Sequence, residues 1–350
     1  MVAQPRAPIP GLPMLPTSIV GSYSVPGWLE RIKTDFHRHR ISANHLTEIE
    51  EVAIKAAVKD QERAGIDVVS DGELRRDNDI DYLLARIPEV SIRGQGKDFY
   101  YDYYDAELVR PLGSDGQQSL GFAADFDFTR QQTDRPIKFS FTGPFSLSRR
   151  LRNGDRPDET ELVRSLARLL NVQARELFDA GARFLQIDEP FLAGYPDAVP
   201  LAIEAVNIVT DGVPASWGLH ICWGNRYARP TWEGHYDFLF PSVLQARVDQ
   251  LVLEFARKGY DDLQLLHRLG WDRAVGVGVI DVKSTEVETA ETVAGRVRRA
   301  VEVLPAESIV VNPDCGLRHT PPEVALGKLT AMVAGAALVR AELQPSVVHG

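Results

Sequence analysis

The chain has 350 residues, 44 % hydrophobic and 25 % charged, with a formal net charge of −10. That acidic balance excludes non-specific binding to nucleic acid or to an anionic membrane surface, and the length fits one α/β barrel or two ordinary domains. Two cysteines in so long a chain make no disulfide framework, and no apolar stretch approaches the roughly 18 to 20 residues of a membrane span.

In chain order, the first ten residues, Met1-Val-Ala-Gln-Pro-Arg-Ala-Pro-Ile-Pro, lack the apolar core of a signal peptide and read as an extended tail. The expected compartment is the cytoplasm. Eight short β-branched runs follow, at 17–23, 66–71, 137–143, 184–189, 216–222, 250–254, 274–281 and 308–312. Each ends in polar residues or glycine, and the pieces between them carry helical periodicity, as in Glu161-Leu-Val-Arg-Ser-Leu-Ala-Arg-Leu-Leu. Alternating strand and helix implies parallel strands with crossovers. Eight such units predict an α/β fold of the (β/α)8 TIM-barrel type, one domain spanning 1–350, with the active site at the C-terminal strand ends. A doubly wound open sheet is the competing architecture. Two stretches break the alternation: a strand-rich insertion after the second strand, about 92–135, and a long connection, about 226–247, with the length of a lid or rim.

The two cysteines lie at the ends of predicted strands. His220 and Cys222 are two apart, so in a strand they share a face and can hold one ion. Cys315 closes Val-Val-Asn-Pro-Asp-Cys, and Glu254 interrupts an apolar run, where a buried carboxylate needs a cation or a metal. One histidine, two cysteines and one glutamate fill a four-ligand site that suits Zn2+. A thiol is the natural visitor, because zinc lowers its pKa and delivers a thiolate at neutral pH. Glu254 is then the oxygen ligand able to leave for it. The second cysteinate argues against a zinc-hydroxide hydrolase by reducing Lewis acidity.

These pieces, together with Ile19-Val-Gly-Ser22, Ser70-Asp-Gly-Glu73-Leu-Arg-Arg-Asp77, Phe141-Thr-Gly-Pro144, Gln186-Ile-Asp188-Glu189-Pro and Val311-Asn-Pro-Asp-Cys315-Gly, resemble the catalytic barrel of cobalamin-independent methionine synthase. The chain resembles the short, single-barrel members, which are related to epoxyalkane:coenzyme M transferases. The resemblance implies zinc-dependent methyl transfer to a homocysteine-like thiol, with zinc on His220, Cys222, Glu254 and Cys315. It implies an amino-acid site at Val20, Ser22, Glu73 and Asp188, where carboxylates hold an α-ammonium and a hydroxyl and backbone N–H groups hold an α-carboxylate. A salt bridge from Glu73 or Asp188 to Arg75, Arg76 or another base is the plainer alternative for those acids.

Two departures bear on the chemistry. The family's general-acid histidine aligns with Lys283, which makes Lys283, with Asp188, the candidate catalytic pair; beside a dication its pKa would be pushed down. The family's pterin-facing aromatic aligns near Arg149 and Arg150, so the folate stacking surface is missing. The expected partners are therefore a small thiol and a methyl or other alkyl donor, a corrinoid protein among the candidates. The alternative function is opening of an epoxide by coenzyme M, with Lys283 gripping the sulfonate or protonating the alkoxide. His319 is expected near the mouth, His235 in the long connection, and Trp223 as packing of the barrel top.

Overall fold

A computed structural model of the chain describes residues 11–93, 99–114, 118–152 and 158–344; the expected tail lies outside the described residues. Nine strands occur among them: β1 Val90–Arg93, β2 Asp105–Leu108, β3 Lys138–Thr142, β4 Leu151–Arg152, β5 Phe184–Asp188, β6 Ser216–Ile221, β7 Gln250–Leu253, β8 Ala274–Ile280 and β9 Ile309–Pro313. Six of them form one parallel sheet in the order β3-β5-β6-β7-β8-β9.

The first two predicted strands survive only as single bridges, yet they close the ring. Thr17 bridges Val311, Ser18 bridges Val68 and Val69 bridges Ile137, all in parallel. Backbone hydrogen bonds run through the same contacts, from Ser18 N to Val311 O (3.0 Å) and from Lys138 N to Val69 O (2.9 Å). Eight positions thus follow one another around a circuit with no open edge, which is the (β/α)8 barrel.

The crossover helices follow local rules. Helix Ala43–Ala64 starts at Ser42, whose hydroxyl accepts from His45 N, and stops at Gly65 with φ +89°. Helix Glu159–Asp179 starts at Asp158 in the same manner and buries Leu162, Val163, Leu166, Leu170 and Leu177, a stripe of helical period facing the sheet.

The inside of the barrel departs from the usual apolar filling. Lys138, Ser140, Gln186, Gln250 and Asn312 are all buried, while Phe139 and Phe141, alternating with the first two, turn outward onto Phe122. Glycine makes room for the polar groups: a Cβ at Gly276 would stand 2.5 Å from Asn312 Nδ2 and 2.6 Å from Gln250 Nε2.

Two expectations need correction. The insertion holds a hairpin, β1 antiparallel to β2, with β4 added beside it, but Phe122–Arg130 is a helix. Its Phe-x-Phe alternation resembles a strand, whereas Phe122, Phe126 and Thr129 share one buried helical face. Secondly, helix Pro322–Leu343 is long and apolar enough to cross a membrane by length and composition. In this fold it is the last barrel helix. Ala325, Leu329, Met332, Ala336 and Val339 form its buried stripe, Gly335 lets it close on Val293, and buried Lys328 pairs with Glu288 at 2.9 Å.

The long connection folds into two 3-10 turns, Tyr236–Leu239 and Ser242–Gln245, and Arg273, just before β8, holds the second through the carbonyls of Val243 and Leu244. Tyr236 fixes it to the barrel, donating from its hydroxyl to Ile221 O (3.2 Å) and accepting from Glu254 N (2.9 Å).

Candidate metal and substrate site

Strand register sets the first contact. Asp188 and His220 are paired neighbours at the ends of β5 and β6, and the Asp188 carboxylate meets His220 Nδ1 at 3.0 Å through Oδ1. Cys222 lies two residues beyond His220, on the same face. Cys315 comes from the turn after β9, which Asp314 anchors: its carboxylate accepts from the N–H groups of Phe255, Ala256 and Arg257 at 2.9, 2.8 and 3.0 Å. One buried acid therefore places the turn that carries Cys315 against the turn that carries Glu254.

The ligand atoms of His220, Cys222 and Cys315 all lie within 4.8 Å of one another, and the two sulfurs are 3.6 Å apart. All three residues are buried. His220 Nε2 is itself buried and makes no hydrogen bond. For His220, burial opposes protonation, but the hydrogen bond to Asp188 and the nearness of Cys315 outweigh it and push the imidazole up to about 10. The facing Cys222 thiol, and then burial, push the Cys315 thiol well above its ordinary range. An imidazole nitrogen with no partner beside two close thiols is a donor set that fits zinc.

Glu254 does not join this trio. Its side chain is fully buried, with Oε2 2.8 Å from Lys283 Nζ and Oε1 2.7 Å from Arg257 Nε. Lys283 is thus found beside the site; burial lowers its pKa, while Glu254, Cys315 and Cys222 together raise it by more.

Next to the trio opens a cavity of about 270 Å³ whose lining includes Val20, Ser22, Glu73 and Asp188. The four predicted amino-acid-binding residues are therefore brought together around one space. Glu73 sits at φ +56°, an uncommon conformation for a non-glycine residue, in a turn braced by Asp71, which accepts from Glu73 N at 2.8 Å. Gly21 lets this carboxylate lie against the 20–22 turn, since a Cβ there would collide with Glu73 Oε1. Ser140 Oγ donates to Glu73 at 2.8 Å, and Arg76 and Arg318 stand 3.2 and 3.5 Å away. Burial works against the charge, but Arg76 and then Arg318 outweigh it and hold the carboxyl below its ordinary range. The salt-bridge alternative for Glu73 is thus realised, on Arg76. Asp188 spends Oδ1 on His220 and on Gln186 Nε2 (2.6 Å), and its Oδ2 takes no hydrogen bond among the described residues.

Sequence reasoning missed several lining groups. Arg318 follows the Cys315 motif by three residues and was within reach of the same reading. Tyr101 and Tyr103 come from the insertion, which carried no signal of a role. In the fold the Tyr103 ring lies between Arg150 (4.3 Å) and Arg226 (4.7 Å), so Arg150 still reaches the mouth. His319 lines the cavity and packs on Tyr101. His235 is exposed and pairs with Asp262 at 2.8 Å, away from the lining.

Comparisons with known proteins agree with this geometry. The family model described as the catalytic domain of cobalamin-independent synthase matches residues 15–338. A methionine synthase of Saccharolobus islandicus is 34 % identical over 335 residues, covering 95 % of this chain and 97 % of that protein. One from Sulfurisphaera tokodaii is 32 % identical over 340 residues, covering 95 % of each. Among solved structures, a B12-independent methionine synthase from Shewanella sp. W3-18-1 in complex with selenomethionine superposes with a TM-score of 0.82, at 29 % identity over 94 % of this chain and 99 % of that one.

Proposed function

This chain belongs to the cobalamin-independent synthase catalytic-domain family, and on that premise we propose that its methionine-synthase-type methyl transfer runs at a zinc site on His220, Cys222 and Cys315. The methyl acceptor is a homocysteine-like thiol bound in the adjoining cavity. The observation that carries the reading is the buried trio: two thiols at 3.6 Å and an imidazole Nε2 without a partner.

When bound, zinc supplies Lewis acidity that makes a thiol a thiolate at neutral pH. The chain's own residues do the rest. Asp188 accepts from Nδ1 of His220, which fixes the ring and leaves Nε2 as the donor atom. Glu73 stays ionised between Arg76 and Arg318 and, with Asp188, faces the cavity as an acceptor for an α-ammonium. Ser22 and Arg318 line the same space as donors for an α-carboxylate. The selenomethionine in the Shewanella enzyme supports this, because its amino-acid end is the one homocysteine carries.

The methyl donor enters from the mouth walled by Tyr103, Arg226 and Trp232. With arginines where the family places a pterin-facing ring, we expect methyl-folate to be a poor donor. The test is zinc content followed by homocysteine consumption with methyl-folate, methylcobalamin and, paired with coenzyme M, an epoxide. The expected result is about one zinc per chain, as a three-residue site implies, with homocysteine methylated and both properties lost in C315S. A metal-free preparation at full rate, or turnover only with the epoxide and coenzyme M, would overturn the reading.

A further inference from the structure

Gln186 lies on β5, two residues before Asp188 and therefore on the same face of the strand, inside the barrel. Its side chain is wholly buried. The amide nitrogen donates twice, to Asp188 Oδ1 at 2.6 Å and to Val20 O at 2.8 Å. Those two acceptors belong to the two halves of the amino-acid site: Asp188 faces the α-ammonium, and Val20 opens the turn that leads to Ser22. The amide oxygen, Oε1, is buried and makes no hydrogen bond.

That orphan oxygen is informative. A buried acceptor without a donor costs stability, and a methionine would fill similar space without one. Turning the amide over would aim Oε1 at two other acceptors, so its orientation is set by the two bonds that the nitrogen makes. Position 186 thus carries an amide for its directed N–H groups, not for filling the core. The neighbouring strand repeats the pattern. Ser140, the register partner of Gln186 on β3, donates its hydroxyl to Glu73 at 2.8 Å. Each acid of the cavity receives a donor from this one tier of the barrel.

We propose that Gln186 is a positioning residue that makes the cavity selective for an α-amino acid, by fixing which oxygen of Asp188 meets the ligand's ammonium. This rests on the homocysteine-like reading above and names what selects the amino-acid end. His220 and Gln186 both bond Oδ1, which leaves Oδ2 without a hydrogen bond among the described residues. A carboxylate held by His220 alone can turn and present either oxygen; the second donor removes that freedom. The bond to Val20 ties the same amide to the 20–22 turn, so ammonium acceptor and carboxylate donors keep one spacing. Ser70 secures that turn separately, its hydroxyl donating to Gly21 O at 2.6 Å. Loss of Gln186 should therefore be felt at the ammonium and spare the carboxylate.

The experiment is calorimetry on zinc-loaded wild type, Q186M and Q186E. The probes are L-methionine and 4-(methylthio)butanoate, which lacks only the α-ammonium. Both substitutions keep the length of the side chain; Q186M removes both N–H donors and Q186E at least one. Each variant should weaken methionine by about tenfold, the scale of one hydrogen bond to a charged group, and the deaminated probe by about twofold at most. In turnover, KM for homocysteine should rise by the same factor while kcat stays within about threefold, because the reacting sulfur is held elsewhere. The proposal is overturned if the folded variants bind methionine as wild type does, or if both probes weaken equally, as a packing role requires. It is also overturned if kcat falls with KM unchanged, or if neither variant folds. A wild-type protein that binds neither methionine nor homocysteine would instead bring down the underlying reading, and so is told apart from these outcomes.

Discussion

At the scale of single residues, Asp188 illustrates how one carboxylate can serve both halves of the site. Its Oδ1 holds His220, and it also lines the cavity where the thiol's amino-acid end is expected. D188N keeps the shape but offers His220 Nδ1 an amide in place of a charge. Zinc affinity should fall about 10- to 100-fold, the usual cost of losing the group that orients a ligating histidine. Chelator competition reads this directly; an affinity unchanged from wild type would show that His220 is oriented by packing alone. How such residues were legible differs. His220 and Cys222 follow from a spacing of two in a strand, which is local. Glu254 was conspicuous as an acid in an apolar run, but two answers satisfy that anomaly, a metal and an ion pair. Its partners are Arg257, three residues on, and Lys283, 29 residues on, and only the folded chain shows that both reach it.

At the scale of elements, the strands that were plainest in sequence are those buried on both faces, β3 and β5 to β9, with short apolar runs that end in polar residues. The segments at 17–23 and 66–71 were found as well, although each makes only isolated bridges, because their positions are set by ring closure rather than by long ladders. What could not be read was the polar interior of the barrel. Lys138, on β3, is fully enclosed; burial, only partly offset by Asp188 and Glu73, depresses its amine to about 7. A depressed amine costs stability wherever the folded chain must carry the proton or forgo it. Between pH 7 and the ordinary lysine value near 10.5 the unfolded chain binds the proton and the folded one does not. Stability from this group therefore rises with pH across that window and is lost as pH falls toward 7. K138M removes the penalty. It should be more stable than wild type at pH 6.5 by up to a few kcal/mol, about 1.4 kcal/mol for each unit of depression, and the gain should shrink at pH 9.5. Urea unfolding of both proteins at the two pH values measures it, and an equal gain at both would mean the amine is not depressed.

At the scale of the whole molecule, the trio spans the barrel mouth. His220 and Cys222 extend from β6 while Cys315 follows β9, with β7 and β8 between them in the ring. A metal there ties segments 93 positions apart in sequence, and the unfolded chain has no comparable site, so binding is linked to folding. Free zinc at a thousandfold its dissociation constant would add about 4 kcal/mol. For a chain of this size, per-residue unfolding entropies convert that into a Tm shift of roughly 5 °C. Stripping zinc with a chelator should lower Tm by about that amount, and restoring zinc should recover it, given the same linkage. The same titration separates the ligands. C222S and C315S should show little dependence on zinc, because each removes a ligand of the buried trio. A Tm indifferent to zinc in the wild-type protein would contradict a metal that bridges these strands.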